Sequence, residues 1–462
     1  MKIAFHTLGC KVNQYETEAM AKLFREQGHE IVGEREFADV YVINTCTVTA
    51  VADKKSRQYI RRMKKVNPNS VVAVTGCYAQ IAPEEVSSIN GVDIVTGINE
   101  KASIPAYVEE FLNAKAGLVH VRDYSDLDTY EEMGLVTSAE ARTRAYIKIQ
   151  DGCNRFCAYC VIPFARGNIR SRNLDEIVEE ARQLIRAGYK ELVLTGINTA
   201  LYGMEDVEGL PADGLQTESL SAASSDEPYG VEKVIAALDA LDGEFRIRLS
   251  SLEPAVVNAD YVRRLLKYKK LCHHLHLSAQ SGSDRILKSM NRPYDRIQYL
   301  QIVETVRRFD PYYGISTDII VGFPGEKETD FEESCSLVTI CDFCKTHVFR
   351  YSRRPNTAAA RMKDQVSPQV KDRRSSALQE ASNRAMASFC MENLGQTRTV
   401  LVEEFLPGAE PSEGMVTGYT DNYIRVYIPC RADEAGEMLN TFRKVRLTEL
   451  LRDGCTGMIL AD

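Results

Sequence analysis

The stretch 151-DGCNRFCAYCVIP-163 decides how this chain is to be interpreted. Its cysteines, Cys153, Cys157 and Cys160, stand four and three positions apart, and no fourth cysteine lies near them. A tetrahedral zinc site or a closed iron–sulfur site would use four ligands. Three thiolates on a four-iron cluster leave one iron free to bind a small molecule. The motif therefore predicts a cluster with an open position; buried structural cysteines, or zinc with a missing partner, are the alternatives.

The composition indicates a globular protein of two or three domains. A chain of 462 residues exceeds one ordinary core, and its 44% hydrophobic and 26% charged residues are typical of a soluble fold. No apolar run approaches the roughly 20 residues of a membrane helix, and the N-terminus lacks the features of a secretory signal. Thirteen cysteines in so large a chain favour a reducing cytoplasm, where thiolates are available for metal.

The distribution of charge along the chain is more informative about possible partners than the net charge is. A net charge of −8 argues against a nucleic-acid partner, but basic residues cluster at 53–65, 140–172 and 345–374. Each cluster lies beside a cysteine motif or a domain junction. We expect phosphate contacts from these clusters, including Lys54, Lys55 and Arg57; solvated faces are the alternative.

The first ~110 residues alternate between strand-like and helix-like runs, as in a parallel α/β domain. The runs KIAFHT, DVYVIN and SVVAVT each lead directly into a cysteine, namely Cys10, Cys46 and Cys77. Because the carboxyl ends of parallel strands share one edge of a sheet, these three thiols can converge. The sequence therefore predicts a second three-thiolate site.

The α/β alternation resumes after an acidic linker at 122–134 and ends in a small β unit. Six strand-like runs, from AYIKIQ to THVFRYS, predict a βα barrel or part of one, with function on the loops that follow the strands. The polar stretch 204–230 is expected to be a surface insertion. Ser367 and Pro368 begin a predicted helix that stops by Gly395, and four strand-like runs after 397 predict a small OB-like barrel.

The motifs resemble a known family. C-x3-C-x2-C after a first barrel strand resembles the radical S-adenosylmethionine (SAM) enzymes, and the longer runs DGCNRFCAYCVIPFARGNIRSR, LSAQSGSDRILKSMNRPY and TDIIVGFPGE resemble their methylthiotransferase branch. The resemblance covers nearly the whole chain. It implies an N-terminal α/β parallel-sheet domain at 1–120, a partial (βα)6 radical SAM barrel at 139–375, a helical connector at 376–391 and a TRAM-like β-barrel at 392–456.

Within this branch, TLGCKVNQYETE is most similar to the enzymes that act on N6-threonylcarbamoyladenosine beside the tRNA anticodon. The implied reaction is methylthiolation of carbon 2 of that nucleoside. Relatives that modify isopentenyladenosine in tRNA, or a ribosomal protein, give an alternative substrate. A metal-binding protein that binds RNA without catalysis is the alternative from another class.

The resemblance also implies the cofactors and their contacts. One 4Fe-4S cluster would be held by Cys153, Cys157 and Cys160 and the second by Cys10, Cys46 and Cys77, with SAM serving as radical source and as methyl donor. The cofactors supply the difficult chemistry and the protein supplies binding and orientation. The expected SAM contacts are Tyr159, Thr195, Gly196, Ser251, Glu253 and Gln280.

The implied partners are the anticodon stem-loop of tRNA and an electron donor such as flavodoxin or ferredoxin, with no membrane partner. Two further runs invite a metal assignment. CDFCKTH at 341–347 and CHHLH at 272–276 carry possible metal ligands. Both runs lie in predicted strands, so we interpret them as structural residues of the barrel and keep metal binding as the alternative.

Overall fold

The computed structural model describes residues 1–135, 143–205, 227–410 and 412–460. Most of the predicted insertion at 204–230, and residue 139 where the barrel domain is predicted to begin, lie outside these ranges. None of the described helices is both long and apolar enough to cross a membrane.

The N-terminal domain is one parallel sheet with the strand order β2-β1-β3-β4-β5-β6. The strands are β1 Lys2–Thr7, β2 Glu30–Val32, β3 Val40–Thr45, β4 Val71–Gly76, β5 Ile94–Thr96 and β6 Leu118–His120. The helices are Lys11–Glu26, Ala50–Val66, Cys77–Ile81, Pro83–Ser87 and Ile104–Ala114. The three long strands were predicted, whereas the three-residue strands were missed because they are too short to show a pattern. β1, β3 and β4 are neighbours, so the loops that follow them meet at one edge.

The central domain is a partial barrel of six parallel strand positions, as predicted. Its strands are β7 Arg144–Lys148, β10 Glu191–Thr195, β11 Arg246–Leu249, β12 Ser251–Leu252, β13 His274–Leu277, β14 Gly314–Val321 and β15 Lys345–Arg350. The third position is interrupted at Ser250, so hydrogen bonding forms two sheets, β11-β10-β7 and β12-β13-β14-β15. A short hairpin, β8 Gln150–Asp151 and β9 Arg170–Ser171, encloses the cysteine motif.

Helices cover the outside of this barrel and enclose its apolar core. They are Leu174–Arg186, Val231–Asp239, Ala259–Leu265, Asp284–Ser289, Arg296–Phe309 and Glu328–Cys341. The short helices Ile162–Arg166 and Ala358–Arg361 contribute no residue to this core. The long helix Pro368–Glu392 then crosses to the last domain; as predicted, Ser367 caps its start by accepting a hydrogen bond from the Val370 amide.

The C-terminal domain is a closed five-stranded barrel in the order β16-β17-β18-β20-β19. Its strands are β16 Thr397–Pro407, β17 Glu413–Thr420, β18 Arg425–Arg431, β19 Phe442–Leu451 and β20 Gly454–Ile459, with a short helix at Ala435–Met438. The prediction of four strands missed β20. Two glycines in GCTGMI hide its strand character, yet this strand pairs with both β18 and β19 and closes the barrel.

Candidate active site

The first cysteine trio lies in the loop between the two hairpin strands. The Cys160 amide donates to the carbonyl of Cys157 at 2.9 Å, and the Cys153 amide donates to that of Gly167 at 3.0 Å, so the loop is fixed by its own backbone. Burial raises the pKa of the Cys153 thiol, and it raises the pKa of Cys160 to about 12. Such thiols stay protonated at neutral pH unless a metal ion binds them.

Arg292 is the side chain that reaches this trio most directly. Its guanidinium donates to Cys157 Sγ at 3.2 Å and lies 3.4 Å from Glu253 Oε1. The other oxygen of Glu253 accepts from Arg155 at 2.8 Å and from Asn198 at 2.7 Å. Glu253 therefore anchors the cations beneath the cysteine loop. Sequence reasoning missed Arg292, although it lies in the MNRPY segment of a motif that carried the family resemblance.

The second trio meets where β1, β3 and β4 end. Cys10 caps the helix that follows β1, while Cys46 and Cys77 directly follow β3 and β4. The approach is so close that a Cβ on Gly9, whose φ is +112°, would lie 2.9 Å from the Cβ of Cys46. Burial raises the pKa of Cys77, and it raises the pKa of Cys46 to about 12. The three predicted thiols do converge.

The two trios are neighbours in space. Helix Cys77–Ile81 packs on helix Ile162–Arg166, which directly follows the first motif. Cys77 and Ala165 share a small apolar cluster, and the thiols of Cys77 and Cys160 are close enough to interact electrostatically. The N-terminal domain therefore presents its thiols to the barrel loop that carries the other three.

Neither cysteine trio holds its three sulfurs as close together as a single zinc ion requires. Among the described residues, His276, Asp318 and His347 alone bring three potential ligand atoms within 4.8 Å of one another. A tetrahedral zinc ion with Zn–S bonds of about 2.3 Å would hold its sulfurs roughly 3.8 Å apart. In each trio, at least one pair of sulfurs is therefore farther apart than one zinc ion would hold it.

A buried group of ionised side chains lies behind the second trio, and it carries more positive than negative charge. Its members are Glu16, Asp151, Lys101, Lys148, Arg166 and Arg170. Arg166 also interacts with the Cys77 thiol. Four cations against two carboxylates leave guanidinium nitrogens without hydrogen-bond partners among the described residues, on Arg166 and Arg170. An anionic cluster on the cysteines fits this charge.

The expected SAM contacts divide between two adjoining cavities at the barrel rim. A cavity of about 230 Å³ is lined by Cys160 together with Tyr159 and Gln280. A larger cavity of about 500 Å³ is lined by Cys10. Of the predicted contacts, this larger cavity contains Thr195, Gly196 and Ser251. Asp318 and Phe349 line both cavities, so the two adjoin, and we refer to the pair as the chamber; Glu253 lines neither.

The fold buries the cysteines of the run at 341–347 in separate cores, but it brings together the last histidine of that run and the last histidine of the run at 272–276. Cys341 and Cys344 are buried in different apolar cores, whereas His347 faces the larger cavity. His276 faces the same cavity from β13, beside Asp318 of β14. No local signal predicts this grouping, because its members come from three separate strands.

The comparisons agree with this architecture. An uncharacterised protein family, UPF0004, matches residues 2–97, and the radical SAM superfamily matches residues 147–338. The threonylcarbamoyladenosine tRNA methylthiotransferase MtaB of Bacillus subtilis is 40% identical, over 95% of this chain and 92% of its own length. The chain belongs to the radical SAM methylthiotransferase family. It is therefore an enzyme, and membership implies SAM and a 4Fe-4S cluster.

Other members of the family differ in the substrate that their names give. MtaB of Thermotoga maritima is 34% identical, over 98% of this chain and 95% of its own length. A tRNA-2-methylthio-N(6)-dimethylallyladenosine synthase of Clostridium botulinum is also 34% identical, over 86% and 85%. Among solved structures, the radical SAM methyltransferase TsrM of Kitasatospora setae is similar in fold, with a TM-score of 0.53 and 14% identity, over 78% of this chain and 76% of its own.

Proposed function

We propose that this methylthiotransferase modifies carbon 2 of N6-threonylcarbamoyladenosine beside the anticodon of tRNA, giving 2-methylthio-N6-threonylcarbamoyladenosine. The observation that carries the proposal is the pair of adjoining cavities, one lined by Cys160 of the first trio and the other by Cys10 of the second. The 40% identity to a relative named for this substrate supports the choice of nucleoside. Methylthiolation of isopentenyladenosine is the second candidate, because relatives named for that reaction are 34% identical.

We assign one 4Fe-4S cluster to Cys153, Cys157 and Cys160 and a second to Cys10, Cys46 and Cys77. When bound, the clusters and two molecules of SAM supply a carbon-centred radical, the inserted sulfur and the methyl group. The chain supplies buried thiols as ligands for the clusters. It also places cations beside them: Arg292 lies beside the first trio, and the cationic group around Arg166 lies beside the second.

The predicted SAM contacts are given different roles according to the cavity that each one lines. Thr195, Gly196 and Ser251 orient ligands in the larger cavity, and Tyr159 and Gln280 do so in the smaller. We give Glu253 a positioning role, since it holds Arg155 and Arg292 rather than facing a cavity.

We also propose that the domains are bounded at residues 120, 139, 375 and 391, and that the last barrel is a TRAM-like domain. We further propose a flavodoxin or ferredoxin as electron donor and a cytoplasmic location, where tRNA and reduced thiols coexist. The tRNA itself would be held by exposed cations near the chamber.

Cysteine variants test the assignment of the two clusters. After anaerobic reconstitution, the wild-type enzyme is expected to hold about eight irons and to release 5′-deoxyadenosine when reduced with SAM. Cys157→Ala should retain about four irons and lose that release. Cys46→Ala should also retain about four irons and still cleave SAM, but form no methylthio product.

The control is Cys335→Ala, which removes a half-buried cysteine on helix Glu328–Cys341, away from both trios. It should leave iron content and product unchanged. Full iron content in Cys46→Ala, or zinc in place of iron in the wild type, would contradict the assignment.

The nucleoside is tested by mass spectrometry of anticodon stem-loops after reaction. We expect conversion of the loop that carries N6-threonylcarbamoyladenosine, and little conversion of the loop that carries isopentenyladenosine. The reverse preference would replace the proposed substrate with the second candidate and leave the cluster assignment intact.

A further inference from the structure

The larger cavity carries more positive than negative charge. Among the described residues on its wall, Lys11 and Arg248 are the cations and Asp318 is the single carboxylate. The wall is built by all three domains, from the Cys10 loop, the barrel rim and Tyr423 of the C-terminal barrel. A ligand in this cavity would therefore meet Lys11 directly beside Cys10.

The two other charged groups on the wall already have partners. Arg248 donates to both oxygens of Glu191, at 2.9 and 3.0 Å, and lies over the ring of Tyr423. Asp318 accepts from His276 at 3.0 Å and from the Ser278 hydroxyl at 3.1 Å. Arg248 is therefore already paired with a carboxylate, and Asp318 is already hydrogen-bonded to two donors, so neither is available as the main partner of a charged ligand.

Lys11 has no such partner. Within the described part of the chain, no carboxylate lies within salt-bridge distance of its ammonium group, and no side chain accepts from it. Lys11 is an exposed residue whose side chain lines the cavity, so its ammonium group is available to pair with an anionic ligand.

Imidazole side chains surround this lysine. The imidazoles of His274 and His276 both bond Ser316 Oγ at 2.9 Å, which fixes their orientation. His274 is 3% exposed, and its Nδ1 has no partner among the described residues. The ring of His347 lies 5.8 Å from that of His276 on the same wall. The cavity thus offers a charge and polar nitrogens to a ligand that carries an anion and a hydroxyl.

We propose that Lys11, with the imidazoles of His274 and His347, forms a carboxylate subsite that binds the amino-acid part of the substituent on the substrate adenosine. The inference rests on the proposed function and deepens it, because the threonylcarbamoyl group carries a carboxylate and a hydroxyl whereas an isopentenyl group carries neither. An apolar substituent would leave the buried His274 nitrogen unpaired, which a polar site penalises strongly.

A divalent cation is the competing occupant. His276, Asp318 and His347 could each offer one ligand atom within 4.8 Å of the others. The nearby charges of Lys11 and Arg248 oppose a cation, and the Asp318 carboxylate is satisfied by the imidazole and hydroxyl that it already contacts. The charges of the cavity therefore favour the anion.

The test compares stem-loops carrying N6-threonylcarbamoyladenosine as the free acid and as its neutral methyl ester, with the reconstituted enzyme. We expect the wild type to prefer the acid in both binding affinity and kcat/KM. Lys11→Gln should lower kcat/KM for the acid about 10- to 100-fold, the size expected for loss of a charged hydrogen bond, and change the ester little. Lys11→Arg should retain most of the preference.

Lys22→Gln is the matched control, since it makes the same charge change on the same helix outside the chamber, where Lys22 pairs with Glu26. Iron content and SAM cleavage without tRNA check that the neighbouring Cys10 site is intact in every variant. Equal use of acid and ester by the wild type, or equal loss on both substrates in Lys11→Gln, would overturn the inference while leaving the proposed function in place.

Two further results separate the remaining possibilities. A wild-type enzyme that converts only the isopentenyladenosine loop would refute the proposed function, and the subsite with it. One equivalent of Zn²⁺ bound by the wild type and lost in His347→Gln, together with no preference for the acid, would replace the subsite by a metal site.

Discussion

At the scale of single residues, Arg166 joins the N-terminal domain to the radical SAM barrel. Its side chain is fully buried, and it contacts Glu16 of the first domain and Asp151 of the barrel, each at 2.9 Å. It also donates to Asn13 Oδ1 at 2.7 Å, and the amide of Asn13 donates in turn to the carbonyl of Thr45. Burial alone would raise the pKa of Glu16, but the combined attraction of Arg166, Lys101 and Lys148 outweighs burial and lowers that pKa. Both carboxylates therefore depend on this guanidinium.

Arg166→Met is expected to lower the free energy of unfolding by about 3–5 kcal/mol, because it leaves buried carboxylates without their main partner. Urea denaturation monitored by circular dichroism measures the change. Arg182→Met is the control: Arg182 is half-exposed and lies 3.6 Å from Glu179, so a change within about 0.5 kcal/mol is expected. Equal stability of the two variants would show that the buried group does not depend on Arg166.

At the scale of elements, the C-terminal barrel docks on the radical SAM barrel through backbone as well as side chains. Arg246 and Arg248 of β11 donate to carbonyls of Tyr419 and Thr420 at the end of β17. Gly314, the first residue of β14, faces the backbone of Asn422 so closely that a Cβ would lie 2.1 Å from that carbonyl oxygen. The docking fixes Tyr423 against the chamber, so it contributes to the site as well as to stability.

Gly314→Ala is expected to weaken this docking, because backbone atoms cannot move aside as a flexible side chain can. A loss of about 1–3 kcal/mol in unfolding free energy is expected for such overpacking. Limited proteolysis should release the C-terminal barrel from the variant sooner than from the wild type.

Gly436→Ala supplies the comparison, since nothing lies within 4 Å of an added Cβ there and its helix is short and exposed. This variant should be as stable as the wild type. An unchanged proteolysis rate in Gly314→Ala would show that the close approach does not hold the domains together.

At the scale of the whole molecule, the chamber opens beside the basic helix Ala50–Val66. The Ala50 amide donates to the Ser352 hydroxyl of the barrel at 3.2 Å, which places this helix at the mouth. Lys54 and Lys55 are exposed on it. Arg57, predicted with them as a phosphate contact, instead donates to Tyr78 at 2.9 Å and to Glu85 at 3.1 Å. Of the three cations that the sequence predicted as phosphate contacts on this helix, Arg57 is therefore engaged by other side chains, whereas Lys54 and Lys55 remain exposed.

Reversing the charge of Lys54 and Lys55 to glutamate together should weaken tRNA binding, and should reduce the slope of log affinity against log salt by about 2 if both contact phosphates. Fluorescence anisotropy over a salt series measures both quantities. Lys269→Glu with Lys444→Glu is the control, at a cavity lined by the starts of β11 and β13, the opposite end of the barrel strands. Equal effects of the two double variants would mean that only net charge matters.

How well the sequence predicts the members of the site depends on how far apart those residues lie along the chain. Cys153, Cys157 and Cys160 are local, so their spacing alone revealed them. Cys10, Cys46 and Cys77 are far apart in sequence, but each follows a recognisable strand, and parallel strands end at one edge. Lys11 is the first residue of a helix in one domain, and His276 and His347 lie on two strands of another, so no pattern connects them. Arg292 lies in a motif that gave no hint of its contact with Cys157.

The sequence by itself determined the family, the three-part fold class and the two groups of three cysteines, because short motifs and strand periodicity are local properties of the chain. Only the tertiary structure decided that a cysteine of each group lines one of two adjoining cavities, that Arg57 is engaged in pairing, and that a lysine without a salt-bridge partner among the described residues faces three histidines beside Cys10. These features depend on how domains dock and on which charges burial leaves without partners, and neither can be read until residues distant in sequence are brought into contact.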